Sequence, residues 1–356
     1  MRNIDLSIFL ITVILVLFGV LMVYDASSVI AFRDFGDKYH FIKDQIRWVA
    51  VGFIFLVFFA NLDYHLLIKL AIPLLILTIV FLVSVFIPGL GIKASGASRW
   101  LDFKFFVLQP TEFAKLSLTI YLAAWFANKE KGRFWAFLLL LMVVVGLVIA
   151  QPDMGTGIIL ASTSIALYFL SGASILHFLL ILPIFALTAF AFIKIAPYRM
   201  ARVLTFFDPL RDPQGTSYHI QQILIALGSG GLVGLGLGQS KQKFEYLPEA
   251  MTDSIFAIIG EEIGFIGTLF LLLLFILLFA RCFKVAREAR DNFGRLLAGG
   301  IVSFLAIQTV INIGAQVALL PLTGVPLPFI SYGGSSLIIS LSAIGIILNI
   351  SKVKGK

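Results

Sequence analysis

Asp253 closes the stretch Leu247-Pro248-Glu249-Ala250-Met251-Thr252-Asp253-Ser254, immediately before a long apolar run. A carboxylate in that place has two uses. As a helix N-cap it would accept backbone N–H groups and complement the helix dipole. As a general base it would take a proton from a hydroxyl at the lipid–water boundary, where desolvation raises its pKa and nearby cations lower it. Glu261 and Glu262 follow two turns into the same run. Adjacent carboxylates point to different faces of a helix, and buried ones need donors, so a structural pairing with Lys115 is expected first.

Gln109-Pro110-Thr111-Glu112-Phe113-Ala114-Lys115 opens another apolar run, with Pro110 suited to a first helical turn. Glu112 and Lys115 stand three apart and can pair on one helix face, as a structural ion pair or as the wall of a polar cavity reaching Asp253. Basic residues are spread over several connecting segments. Arg99 lies in Ser95-Gly96-Ala97-Ser98-Arg99-Trp100; Arg33, Lys38, Lys43 and Arg47 lie earlier; Arg199, Arg202, Lys241 and Lys243 lie in a long segment before Asp253. Such groups at a membrane surface contact headgroups, but converging on one groove they would bind a diphosphate. The glycine-rich run Gly228–Gly238 matches neither a Walker loop nor GxGxxG after a strand, so nucleotide binding is excluded and no nucleic-acid partner is expected. Pro321 to Ser336, which contains Ser331, holds three prolines and three glycines and reads as a kinked or re-entrant segment. The four histidines match no zinc spacing and the one cysteine, Cys282, excludes an internal disulfide; no metal ligand is assigned.

The elements that must carry these residues follow from composition. Residues are 60% hydrophobic and only 13% charged, about half the charged fraction of a water-soluble domain. Lipid must cover the rest. With about 20 apolar residues needed per crossing, spans fall near 6–23, 46–62, 66–87, 109–127, 134–150, 155–171, 174–195, 255–280, 296–319 and 333–350. The expectation is an all-α polytopic membrane protein of about ten transmembrane helices, residues 1–356 forming one domain. A large extracytoplasmic loop, about 196–254, separates helices 7 and 8, with a helical stretch at Tyr218–Leu227. Pro152 and Gly155 divide the fifth span from the sixth. Leu6–Val23 reads as a retained first helix rather than a cleavable signal. Lys and Arg in the short connections (Arg2, Lys69, Lys129–Arg133, Arg281–Arg295, Lys352, Lys354 and Lys356) favour both termini in the cytoplasm.

Several of these segments together resemble the SEDS family (FtsW/RodA/SpoVE) of peptidoglycan polymerases. They are Gly96-Ala97-Ser98-Arg99-Trp100, Gln109–Lys115, Gln151-Pro152-Asp153, Pro326–Ser336 and, most specifically, Gly236–Lys243 running into Leu247-Pro248-Glu249-Ala250 and Thr252-Asp253. The run Gly238-Gln239-Ser240-Lys241-Gln242-Lys243 and Pro248-Glu249-Ala250 resemble the division branch more than the elongation branch. Met251 and Ser254 depart from the usual pattern, standing where many members have His and Phe. The resemblance implies a glycosyltransferase of the bacterial cytoplasmic membrane that polymerises lipid II at the outer face, with Asp253 as its essential aspartate. The candidates for the substrate groove or cavity are Arg99, Glu112, Lys115, Arg202, Lys241, Lys243, Thr252 and Ser331, with Arg202 and Lys243, and Arg99 behind them, expected at the leaving diphosphate. Arginines and lysines would stabilise the leaving diphosphate, and a divalent cation (Mg or Mn) would serve the same end. The implied partners are lipid II, the growing lipid-linked strand, a class B penicillin-binding protein (a transpeptidase) and other divisome or elongasome membrane proteins. The alternative is a flippase or transporter of a lipid-linked precursor, which would place its required carboxylate near the midplane, at Glu112, Glu261 or Glu262.

Overall fold

The computed structural model describes residues 4–352 except 95–96, 105–106, 129–131, 209–211, 213–214, 216 and 245. Gly96 and the basic residues Arg2, Lys129, Lys131, Lys354 and Lys356 therefore lie outside the described residues. Each of the ten predicted spans is occupied by a helix: α1 (Leu6–Phe35), α2 (His40–Asn61), α3 (Leu66–Ser84), α4 (Pro110–Ala127), α5 (Phe134–Ala150), α6 (Met154–Leu170), α7 (Ile175–Ile195), α10 (Ile255–Arg287), α11 (Asn292–Gln316) and α12 (Gly334–Ser351). By length and composition alone, α1, α3, α7, α10, α11 and α12 can cross a bilayer, while α5 and α6 are shorter apolar helices. The backbone amide of Asp5 donates to Ser351 Oγ at 3.3 Å, so the first helix begins at the same end of the bundle where the last one finishes.

Three features depart from the expected outline. α1 does not stop at Val23 but continues to Phe35, because its polar residue Asp25 finds a partner in Lys243 and only the left-handed Gly36 caps the helix. The segment 196–254 contains α8 (Pro197–Phe207) as well as the expected helix, α9 (Tyr218–Gly230). Between α3 and α4 lies an antiparallel sheet of β1 (Gly91–Ala94), β2 (Ala97–Asp102) and β3 (Val107–Leu108), with Leu101 paired to Gly91 and to Leu108. Its strands are too short to leave a periodic pattern in the sequence.

The break between α5 and α6 forms as the proline and glycine require. Asp153 Oδ1 caps α6 by accepting from the Thr156 amide at 3.0 Å, and Gln151 Nε2 donates to the Leu82 carbonyl at 2.8 Å. Arg99, carried on β2, donates to the carbonyls of Gln151 and Pro152. Those bonds replace the helical ones the break removes.

α10 is broken too, at Gly264, whose φ of 66° lies outside helical space. An open backbone at that depth must be satisfied by protein. The glycine-rich strand of chain after α9 supplies the partners. Amides of Leu235 and Gly236 donate to the carbonyls of Glu261 and Glu262, and amides of Phe265 and Ile266 donate to the carbonyls of Gly231 and Leu232, all near 3.0 Å. Backbone meets backbone so closely that a Cβ on Gly234 would lie 2.1 Å from the Glu262 carbonyl oxygen.

Glu261 and Glu262 do not pair with Lys115. Glu261 accepts from the amides of Lys241 (3.0 Å) and Gln242 (3.3 Å) and from Ser240 Oγ, while Glu262 accepts from the Ser240 amide (3.1 Å) and from Lys243 Nζ (3.3 Å). The nearby loop reaches these carboxylates before any side chain of α4 can. Lys115 instead pairs with Glu112 at 2.7 Å, both almost fully buried, and its Nζ donates to Gln308 Oε1 at 2.5 Å. Gln308 in turn donates to the Pro326 carbonyl at 2.8 Å, so the ion pair props the irregular segment between α11 and α12.

Two outcomes follow for detergent-solubilised protein followed by thermal unfolding. Gly234→Ala lowers the midpoint by several degrees, whereas Gly228→Ala, where a methyl meets nothing within 4 Å, leaves it unchanged or raises it. Lys115→Met strands the Glu112 charge and costs about 3 kcal/mol; the double variant Glu112→Gln/Lys115→Met recovers most of that.

Candidate active site

The bundle end opposite the chain termini carries a cavity of about 340 Å³. One wall is α8, through Tyr198, Ala201, Arg202, Thr205 and Phe206; α9 adds His219 and Ile220. The turn before α10 contributes Glu249 and Asp253, and the irregular segment after α11 contributes Leu320, Pro321, Leu322 and Gly324. α8 has apolar residues to one side and Arg199 and Arg202 among them, which suits a helix lying along a boundary rather than crossing it.

The turn is built on Glu249, which adopts a left-handed φ of 52°. That conformation lets its carbonyl accept from the amides of both Thr252 and Ser254 at 3.1 Å. Its side chain accepts from Thr252 Oγ1 at 2.7 Å. Two amide side chains of α11 hold the end of the turn: Asn312 Nδ2 and Gln316 Nε2 donate to the Asp253 carbonyl at 2.8 and 2.9 Å. Asn312 also donates to the Val325 carbonyl at 2.7 Å, and Gln316 Oε1 accepts from the Ala257 amide at 2.8 Å. Ser331 Oγ donates to the Thr252 carbonyl and accepts from the Leu327 amide, and the Tyr332 amide donates to the Met251 carbonyl. The irregular segment and the turn thus hold each other by main-chain groups.

With its carbonyl fixed, Asp253 turns its carboxylate to the cavity. It does not cap α10; Ser254 is the N-cap residue. Burial and, next, the charge of Glu249 push the Asp253 carboxyl up to about 7, against the opposing pull of Arg202 and the Thr252 hydroxyl. A carboxylate in that range exchanges its proton near neutral pH. His219 faces the same space, with Nε2 2.7 Å from Ser254 Oγ. Burial first, then the Arg202 charge, hold the imidazole down to about 4, so it is neutral.

The residues singled out from the sequence fall into three groups. Asp253 and Arg202 line the cavity, and Thr252 and Ser331 shape the turn that holds Asp253. Arg202 is exposed and donates to the Leu322 carbonyl at 3.1 Å. Glu112 and Lys115 stand one layer behind, connected through Gln308. Lys243, Lys241 and Arg99 do not reach the cavity lining. Lys243 is buried between Asp25 (2.8 Å) and Glu262 (3.3 Å), tying α1 to α10, so its charge serves two carboxylates already in the protein. Lys241 has an exposed side chain. Arg99 is engaged at the α5–α6 break, and Arg199 spends its guanidinium on Tyr198 and the carbonyls of Phe192 and Ile149. Arg33, Lys43 and Arg47 pair with Asp34, Asp37 and Asp44.

Residues not singled out prove equally important. Gln308, Asn312 and Gln316 recur every fourth position in an otherwise apolar run, which is one stripe of a helix and a legible signal. Glu249 stands in the quoted motif without a role, and His219 carries no spacing signal. Among the described residues no three His, Cys, Asp or Glu side chains are grouped to hold a metal ion.

Residues 5–356 match the FtsW/RodA/SpoVE family, whose members are described as cell cycle proteins. The chain is 42% identical over 355 residues to a probable peptidoglycan glycosyltransferase FtsW of Trichlorobacter lovleyi, covering 98% of this chain and 93% of that one. It is 41% identical, again over 355 residues, to stage V sporulation protein E of Bacillus subtilis, covering 98% and 97%. A solved structure described as a peptidoglycan synthase complex, in which polymerization and crosslinking are coordinated, superposes with a TM-score of 0.81 at 28% identity, covering 99% of this chain and 98% of that one. The rod shape determining protein RodA of Thermus thermophilus superposes with a TM-score of 0.73 at 27% identity, covering 98% and 97%. With the family match spanning all but the first four residues and the same bundle found in its solved relatives, the chain belongs to the FtsW/RodA/SpoVE (SEDS) family.

Proposed function

We propose that this protein is a peptidoglycan glycosyltransferase that polymerises lipid II into glycan strands, with Asp253 as general base. One observation carries the reading: a carboxylate of raised pKa faces a cavity at one end of the bundle, with a cation on the neighbouring wall. In the reaction the 4-hydroxyl of the acceptor sugar attacks C1 of the lipid-linked donor sugar. The new C–O bond forms as the bond from C1 to the diphosphate oxygen breaks. Asp253 takes the hydroxyl proton, and the diphosphate leaves with the bonding electrons. Arg202 stabilises the charge that develops there, a transition-state interaction that counts most away from bulk water. Glu249 and the substrate's own diphosphate make a donor set that suits Mg²⁺, which needs few protein ligands when phosphates are present. Such an ion would supply further positive charge at the leaving group.

The names of the relatives support this activity, and the synthase-complex neighbour supports a class B penicillin-binding protein as partner. The protein acts from the cytoplasmic membrane with both termini in the cytoplasm and the cavity at the outer face. Most side chains of α1, α3 and α7 that point away from the bundle are apolar, as lipid requires, and the exposed charges Arg33, Asp34, Lys69 and Lys194 sit near helix ends. The flippase alternative has less support, because the deep carboxylates it needs are already committed. Glu112 is paired with Lys115, and Glu261 and Glu262 anchor the 240–243 segment.

The test is polymer formation from purified lipid II by the chain with its candidate transpeptidase. Asp253→Asn lowers turnover at least about a hundredfold while thermal unfolding is unchanged; retained turnover removes Asp253 as base. Because the base must be deprotonated, wild-type activity falls as pH drops through about 7. Glu249→Gln removes a charge that raises the Asp253 pKa, so the acid limb of the profile moves to lower pH.

A further inference from the structure

His219 has no part in the reaction as written, yet it lines the cavity beside Asp253. Its ring meets the turn 248–254 at Ser254, the residue that follows the base. Nε2 lies 2.7 Å from Ser254 Oγ. A neutral imidazole and a hydroxyl can each donate or accept in such a contact, so one hydrogen bond joins α9 to the end of the turn.

We propose that His219 is a positioning residue for Asp253: an imidazole strut on α9 that holds the Ser254 hydroxyl and so fixes the end of the turn carrying the base. The inference rests on the reading of Asp253 as general base and adds to it. Just before the anchored Ser254 lie Glu249 with its left-handed backbone, Thr252 and Asp253. The α11 amides hold one end of this turn by the Asp253 carbonyl, and the α9 imidazole holds it from the other side. Without the strut the turn can open toward the cavity and admit water to the carboxylate. The charged and titratable groups sharing the cavity with the ring are Arg202 and Tyr198 on α8 and Glu249 and Asp253 on the turn. Protonation would make Nε2 the donor and the Ser254 hydroxyl the acceptor, which changes the polarity of the contact. Burial and Arg202 keep the ring neutral well below pH 7, so the contact keeps one polarity where the enzyme works.

The test compares His219→Ala, Ser254→Ala, the double variant and His219→Gln in the lipid II polymerisation assay, with Asp253→Asn alongside. His219→Ala lowers kcat by about ten- to a hundredfold with little change in KM, as a misplaced catalytic group does. Its acid limb also moves down from about 7, because the carboxylate gains water. Ser254→Ala reproduces both effects, and the double variant is no worse than either single change, since the two side chains act as one contact. His219→Gln keeps a donor and an acceptor and restores most of kcat. Native kcat and an unmoved acid limb in His219→Ala overturn the proposal, as do single effects that add in the double variant. Thermal unfolding of each variant separates loss of the strut from loss of the fold, with Ser254→Ala the milder probe. If Asp253→Asn is inactive while the His219 variants are native, the strut alone fails; if Asp253→Asn is active, the base assignment fails and the strut with it.

Discussion

Three amide side chains on one stripe of α11 hold up most of what is irregular in this molecule. Gln308, Asn312 and Gln316 donate to the carbonyls of Pro326, Val325 and Asp253, groups that no helix or sheet can satisfy. In a lipid-embedded bundle an unpaired carbonyl costs several kcal/mol, so non-helical chain survives at depth only where protein side chains meet it. A primary amide suits the task because it carries both a donor and an acceptor. Gln308 uses its acceptor for Lys115, and Gln316 uses its own for the Ala257 amide. The stripe therefore connects the buried ion pair of α4, the segment between α11 and α12, and the start of α10 into one frame.

Buried charge is distributed to match. Lys115 and Lys243 are each nearly sealed from solvent, and each meets carboxylate within the protein. They serve architecture, and only Arg202 among the bases singled out is presented to the cavity. At Asp253 the main chain is firmly bound while the carboxylate has a long hydroxyl contact from Thr252 at 3.3 Å. Desolvation first, and then the neighbouring Glu249 charge, lift its pKa.

Helix positions are legible in the sequence because an apolar run of span length fits little besides a membrane crossing. Asp253 is legible through its place in a long motif, and the α5–α6 break through Pro152. The basic residues cannot be sorted by their order along the chain. Lys243, Arg99 and Arg199 look equivalent to Arg202 in the sequence, and only the tertiary arrangement decides which guanidinium or ammonium faces the cavity and which meets a carbonyl or carboxylate. α8 is hidden because its apolar and basic residues are mixed over a short length. The pairing of the 231–236 strand of chain with the α10 break is hidden because it is made entirely of backbone groups. The partners of Glu261 and Glu262 escape the sequence for a related reason: most of them are amides, which every stretch of chain offers.

Main-chain anchoring of the 251–254 turn has a consequence for inheritance. The Met251 carbonyl takes the Tyr332 amide, the Thr252 carbonyl takes Ser331, and the Asp253 carbonyl takes two α11 amides. None of these bonds consults the side chain at position 251. The side chain at that position can therefore be exchanged without displacing the neighbouring aspartate. The scaffold buffers the position of Asp253 against mutational drift close by, and variation can accumulate beside the cavity while the aspartate stays in place.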